Sequence, residues 1–267
     1  MSVRRAAGAA LAALLALALA LAFALAAVPA LGGPRAGASQ SGAAAAATVQ
    51  AMVVGRGGEV LAPARGVSAA ATSVRVRGRS CGVAAGTPLT VLAALRRTGG
   101  PGFALRDYGH CGSSPSSSAQ LYVYSVGGEP GSGQNGWEYK VDGYAGSTGA
   151  GDPSGVRGDG RRIRTGQRVL WFWCQASGGG CQRSLALALP SGSVAPGAAL
   201  TVMVTAQDNE ARSRPLAGAI VTLGSDFAST GADGRATLIA PAQARRYRLS
   251  ATRAGLVPAF PQTIVVR

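Results

Sequence analysis

The chain has 267 residues, with 26 Lys and Arg against 11 Asp and Glu, a formal net charge of +15 and one histidine. A positive field of this size attracts anions, acidic polymers and membrane surfaces. The arginines are scattered, however, and no recognition helix or binding motif accompanies them, so a nucleic-acid interface is not expected. A single histidine and the lack of a carboxylate or metal-ligand constellation argue against a hydrolase, and neither a catalytic residue nor a cofactor is assigned.

The N-terminus carries a basic head, Arg4-Arg5, followed by an almost unbroken apolar run from Ala6 to Leu31. That is the pattern of an export signal, with small residues in Val28-Pro29-Ala30 for cleavage after Ala30 and a second candidate at Ala36-Gly37-Ala38. The run is also long enough to span a bilayer, so an uncleaved membrane anchor is the alternative to residues 1–30 as a cleaved signal. No other segment is long and apolar enough to span one. The expected location is secreted or cell-surface. Residues 31–47, rich in Gly, Ala and Ser, read as a flexible linker.

A first domain is expected over 48–184. Thr48 to Val54 could open it, and Glu59 to Ala71 is weakly patterned, as loop or hairpin. Val74-Arg-Val-Arg alternates with period two and predicts a strand, which would put Arg75, Arg77 and Arg79 on one face. Gly86-Thr87-Pro88 then predicts a helix start, with Thr87 capping free backbone donors and Pro88 in the first helical position. Leu89, Leu92 and Leu95 form its apolar stripe, and Gly99-Gly100-Pro101 ends it. Leu121 to Val126 reads as a strand with Leu121, Val123 and Ser125 on one face and Tyr122, Tyr124 and Val126 on the other. In Trp137 to Val141 the faces are Trp137, Tyr139 and Val141 against Glu138 and Lys140. Residues 144–166 form a long Gly-rich loop, and loops of that length are often functional. Val169 to Trp173 is apolar on both faces, which suggests a central strand or an interface, with Trp171 and Trp173 opposite Phe172.

From about Leu185 the spacing changes. Leu200 to Thr205, Ala217 to Leu223, Ala236 to Ile239, Tyr247 to Thr252 and Thr263 to Val266 are short alternating runs separated by Gly, Pro and Asp turns. Regular spacing of this kind predicts a β-sandwich over 185–267.

The four cysteines are Cys81, Cys111, Cys174 and Cys181, an even number in an exported chain, which favours disulfides. Three pairings are open. Cys174 and Cys181 flank a Gly-rich loop that can close, and Cys81–Cys111 with Cys174–Cys181 is favoured. Without a Cys-x-x-Cys knuckle no zinc site is assigned. His110 adjoins Cys111 and cannot readily serve it as a base. Asp142, Asp152 and Asp159 could offer oxygens to calcium but lack EF-hand spacing, and Glu138 with Asp142 is a weak acid/base pair.

Ten of the 13 aromatics downstream of the N-terminal run lie between Phe103 and Trp173, which makes that stretch the place to look for a binding surface. Tyr122, Tyr124, Trp137, Tyr139, Tyr144, Trp171 and Trp173 are the candidate set, since exposed aromatics recognise sugars, flat cofactors or apolar partner patches. The competing reading places most of them in the core of a small sheet.

Two family resemblances follow from these motifs. The strand and Thr87-Pro88 helix, the segment Asn135-Gly-Trp137-Glu-Tyr139-Lys-Val-Asp142-Gly143 and the strand Gly166-Gln-Arg-Val-Leu-Trp-Phe-Trp173 resemble the extracellular domain family related to the C-terminal domain of transcobalamin and intrinsic factor. That resemblance implies a small β-grasp-like sheet-plus-helix fold over roughly 100 residues. In the cobalamin carriers this domain forms one side of the corrin site, beside a large helical domain that the chain lacks. Pro215 to Leu223, followed by Ser229-Thr-Gly-Ala-Asp-Gly-Arg-Ala-Thr237, resembles bacterial immunoglobulin-like or carboxypeptidase-regulatory-like modules, which implies a spacer or adhesion role. The expected fold class is therefore mainly β with one helix: a small β-grasp-like α+β domain plus an immunoglobulin-like β-sandwich. The expected function is a noncatalytic ligand-binding or adhesion protein of the bacterial cell envelope, its partner an extracellular ligand, a glycan or an envelope protein. A structural spacer without a small ligand is the alternative.

Overall fold

The computed structural model describes residues 46–267, and the expected signal, anchor and most of the linker lie outside the described residues. These residues form one compact unit. It is mainly β, as expected, with one α-helix and one short 3-10 helix, Pro115–Gln120.

Ten strands and the α-helix make up the first region. They are β1 (Thr48–Val54), β2 (Val60–Ser68), β3 (Thr72–Val76), β4 (Arg79–Val83), α1 (Pro88–Arg97), β5 (Phe103–Asp107), β6 (Leu121–Val126), β7 (Glu129–Pro130), β8 (Gly136–Val141), β9 (Tyr144–Ala145) and β10 (Arg168–Cys174). The main sheet has the order β2-β1-β10-β8-β9. Its centre, β10, runs parallel to β1 and antiparallel to β8, and both of its faces are apolar because each is covered by another layer. One face, with Val169, Trp171 and Trp173, shares a core with α1, the β3–β4 hairpin and β6. The opposite face packs Met52, Val54, Leu170, Phe172 and Cys174 against Val257 of the second region.

The helix forms for the reasons its sequence suggests. Thr87 accepts a hydrogen bond from the Thr90 amide, Pro88 begins the first turn, and Leu89, Leu92 and Leu95 are fully buried. Arg96 and Arg97 sit in the last turn, where cations favour the helix dipole.

The second region holds β11 (Ser184–Ala188), β12 (Ser193–Val194), β13 (Ala199–Gln207), β14 (Ser213–Pro215), β15 (Ile220–Leu223), β16 (Asp226–Ser229), β17 (Arg235–Ile239), β18 (Arg246–Thr252) and β19 (Gln262–Val266). Strands β11, β13, β14 and β17 form one sheet, and β12-β19-β18-β15-β16 form the other. Their inner faces close on Leu200, Val202, Val204, Val221, Leu223 and Leu249, giving an immunoglobulin-like β-sandwich. The clean alternation along β13 records this, with Leu200, Val202, Val204 and Ala206 inside.

Several local expectations change. The weakly patterned segment after Glu59 is the nine-residue strand β2, paired to β1 through two register irregularities that explain its poor alternation. Arg77 and Gly78, both at positive φ, make a hairpin turn, so Arg75, Arg77 and Arg79 do not share one strand face. Strand β6 carries a bulge at Tyr124, because Ala104 pairs with Ser125 and Leu105 with Val123. One extra residue reverses the alternation beyond it, so Val126 is buried with Leu121 and Val123. The segment read as one strand from Ala217 begins only at Ile220, and Ser213–Pro215 is itself a strand.

The cysteines form Cys81–Cys111 and Cys174–Cys181. The first ties β4 to the segment following β5. The second closes the loop after β10, beside the contact with the sandwich. Two disulfides suit an oxidising compartment.

Candidate functional site

The structure separates the seven candidate aromatics. Trp137, Tyr139, Trp171 and Trp173 are between 1% and 4% exposed and belong to the core around α1. As freely exposed binding rings they are therefore corrected: a three-layer arrangement of helix, sheet and sandwich covers both faces of β10 and leaves these rings only slight exposure, where clefts reach them. Trp171 donates its indole N–H to the Pro88 carbonyl at 3.2 Å, and its ring lies 5.5 Å from that of Tyr139. Trp137 donates to the Glu129 carbonyl at 2.8 Å and meets Trp173 edge-on at 5.8 Å. Tyr124 is half-buried beneath the Arg106 guanidinium, 3.7 Å from the ring centre. Tyr122 and Tyr144 are exposed.

Four of the seven nevertheless meet in one place. A cleft of about 340 Å³ opens between β6 and β8, with Tyr122 on one wall and Trp137, Tyr139 and Trp171 at its base. No backbone ladder joins these two strands, since β6 pairs with β5 and β7 while β8 pairs with β10 and β9. The third wall is the Gly-rich loop, through Thr148, Gly149, Ala150 and Asp152.

That loop is ordered, and its composition has a steric cause. A side chain at Gly146 would collide with the Tyr139 ring, and one at Gly149 with the Ala119 carbonyl. The Tyr139 hydroxyl donates to the Thr148 carbonyl at 2.9 Å, and the Thr148 hydroxyl donates to the Gly155 carbonyl at 2.7 Å. Buried Val156 and Ile163 fasten the remainder.

The mouth includes Tyr108, 67% exposed, whose ring lies 6.2 Å from that of Tyr122. Gln120, Glu138 and Asp152 supply polar groups. Desolvation raises the Glu138 carboxyl above its ordinary value, and burial followed by the Glu138 charge raises the Tyr122 phenol. Burial also raises the Tyr139 phenol, against the lowering effect of its Thr148 hydrogen bond. The cleft thus offers ring edges below, two phenols at the rim and carboxylates able to accept hydroxyl protons.

Sequence reasoning missed Tyr108 and Gln120, which come together with β8 only through tertiary packing. Glu138 and Asp142, weighed as a weak acid/base pair, line different clefts. Asp142 instead accepts from the Arg168 amide and the Gln167 side chain, both at 2.8 Å. Asp152 is apart from Asp142 and Asp159, and no group of three metal-ligating side chains occurs among the described residues. His110 is exposed, and its neighbour Cys111 is held in a disulfide.

Lys140, the sole lysine, lies as expected on the face of β8 opposite Trp137, Tyr139 and Val141, yet is only 1% exposed. The sandwich covers it: its ammonium donates to Ser184 Oγ at 3.3 Å and to the Asp208 carbonyl at 3.2 Å, with the Phe172 ring 5.6 Å away. Desolvation lowers its pKa to about 8, partly offset by the Asp208 charge. Lys140 is a junction residue with no place in the cleft.

No family model matches the chain, and no curated protein matches it. Among solved structures it is similar to the D00-D0 domain of intimin, at 18% identity over 55% of this chain and 90% of that one, with a TM-score of 0.22. Likeness at that score carries no weight for fold or function. Among the described residues, no helix is long and apolar enough to cross a membrane.

Proposed function

We propose that the chain is an exported, noncatalytic binding module of the bacterial cell envelope, and that the cleft between β6 and β8 holds a neutral, sugar-like ligand. Residues 48–184 act in this reading as the ligand-binding domain, of the type found at the C-terminus of transcobalamin, and 185–267 act as an immunoglobulin-like spacer. The observation that carries it is the convergence of Tyr108, Tyr122, Glu138 and Asp152 at the mouth of a cleft with an aromatic base. The exposed Tyr108 and Tyr122 rings suit the C–H faces of sugars, and carboxylates with phenols suit their hydroxyls. Two disulfides support the exported location.

A second reading, a structural spacer with no small ligand, draws on the burial of Trp137, Tyr139, Trp171 and Trp173. Titrating the full chain with neutral hexasaccharides and a corrinoid, read by tryptophan fluorescence, separates the two. A saturable change that is lost in a folded Tyr122→Ala variant supports the cleft. A change that survives both Tyr108→Ala and Tyr122→Ala places the ligand elsewhere, and silence across the panel favours the spacer.

A further inference from the structure

A second cleft, of about 310 Å³, lies on the other side of the Gly-rich loop. Arg157, Arg161, Arg162 and Arg164 line it, over an apolar base of Val141 and Val156 with the Tyr144 ring beside them. Four guanidinium groups within eight positions are held on a loop whose backbone is fixed: the Val156 amide donates to the Arg161 carbonyl at 3.2 Å and the Ile163 amide to the Gly86 carbonyl at 2.8 Å. The arginines are therefore presented in place, with little backbone ordering left for a ligand to impose.

Their charges are only partly answered. Arg157 reaches Glu210 at 3.8 Å and Arg161 reaches Asp159 at 3.7 Å, both at exposed positions where such pairs are weak. Arg162 donates its Nε–H to the Pro153 carbonyl at 3.0 Å, which leaves its terminal nitrogens available. Neither Arg162 nor Arg164 makes an ion pair among the described residues. The carboxylates in the cleft are already engaged, Asp142 by Gln167 and the Arg168 amide, Asp159 by the Arg161 amide.

We propose that this cleft binds the anionic groups of an acidic glycan, carboxylate or phosphate carried on a sugar. Guanidinium forks match both groups bidentately. The Tyr144 ring, exposed and held under the Arg157 guanidinium at 5.3 Å, gives a sugar an aromatic surface beside the arginines that a bare inorganic ion would not use. The site is separate from the β6–β8 cleft and stands or falls independently of it.

The test is binding of the full chain, in mild detergent, to a polyuronate hexasaccharide and to a phosphorylated hexasaccharide, with a neutral hexasaccharide, inorganic phosphate and phosphatidylglycerol vesicles as comparators. At least one anionic oligomer should bind tenfold or more tightly than the neutral one, and which of them does so identifies carboxylate or phosphate as the source. Arg161→Gln with Arg164→Gln should weaken that binding at least tenfold. This pair spares Arg162 and its bond to the loop. The charge-matched pair Arg246→Gln with Arg248→Gln, on the exposed face of β18, should change it less than twofold. Equal losses from the two pairs would mean that net charge alone attracts the polymer, and would overturn the proposal. So would inorganic phosphate binding as tightly as the oligomers, binding to the vesicles but to neither oligomer, or no preference over the neutral sugar.

Discussion

The two regions of this protein build their cores by different means. The first fills the space between a helix and a sheet with Trp137, Tyr139, Trp171 and Trp173 and fastens its edges with a disulfide at each end. The second closes two sheets on Val, Leu, Ala and Ile, with Tyr247 as its one buried aromatic and no cysteine. Small, regular side chains let a sandwich repeat a simple alternation. Large rings in an irregular layer leave gaps where strands fail to pair, and one such gap is the cleft between β6 and β8. The region with the less regular packing is the one that offers a place for a ligand.

Removing a ring from the first core should have the largest effect. Trp171→Ala takes out a side chain that is 1% exposed and breaks its bond to the Pro88 carbonyl, so urea denaturation should show a loss of about 3–5 kcal/mol. A loss under about 1 kcal/mol would mean that Trp171 is not a core residue.

The next effect sits where the regions meet. Lys140 titrates at about 8 in the folded protein against an ordinary 10.5. Between those values the unfolded chain binds more protons than the folded one, so stability rises with pH across that window and is flat below it. The full rise is of order 3 kcal/mol. Comparing wild type with Lys140→Met from pH 7.5 to 10 should show the rise only in wild type. Parallel curves would remove Lys140 from the junction's energetics.

Smaller effects are expected at the surface. Tyr122→Ala should leave stability within about 1 kcal/mol while weakening any ligand of the cleft at least tenfold, checked by denaturation and by titration. In the sandwich Phe227 is 70% exposed, and Phe227→Ser should shift stability by no more than about 0.5 kcal/mol. A larger loss would mean that the Phe227 ring packs on the chain and is not solvent-exposed.

How legible each region was follows from the same contrast. The alternation of Leu200 to Thr205 and the Thr87-Pro88 start could be read directly, because local chemistry decided them. The double apolar faces of Val169 to Trp173 pointed to a central strand or an interface, and β10 is both. Strand β2 was hidden by its register irregularities, and the turn of Val126 into the core by the bulge at Tyr124. Neither leaves a local signature when the partner strand is unknown. The burial of Lys140 was out of reach for a similar reason, since its cover, Ser184 and Asp208, lies 44 and 68 residues away. The candidate aromatics were found in the right stretch, but which rings form the base of a cleft and which its mouth depends on how far β6 stands from β8.

The most direct measurement uses the three tryptophans as reporters. Trp137 and Trp171 line the β6–β8 cleft, whereas Trp173 lines a different one beside Arg56 and Gln182. The three indole N–H signals can be followed by NMR, assigned with Trp→Phe variants, while the neutral hexasaccharide panel is titrated into the full chain. The expected result is that the Trp137 and Trp171 signals move together and saturate while Trp173 stays still. Movement of Trp173 alone, or no movement of any of the three, would contradict a ligand site between β6 and β8.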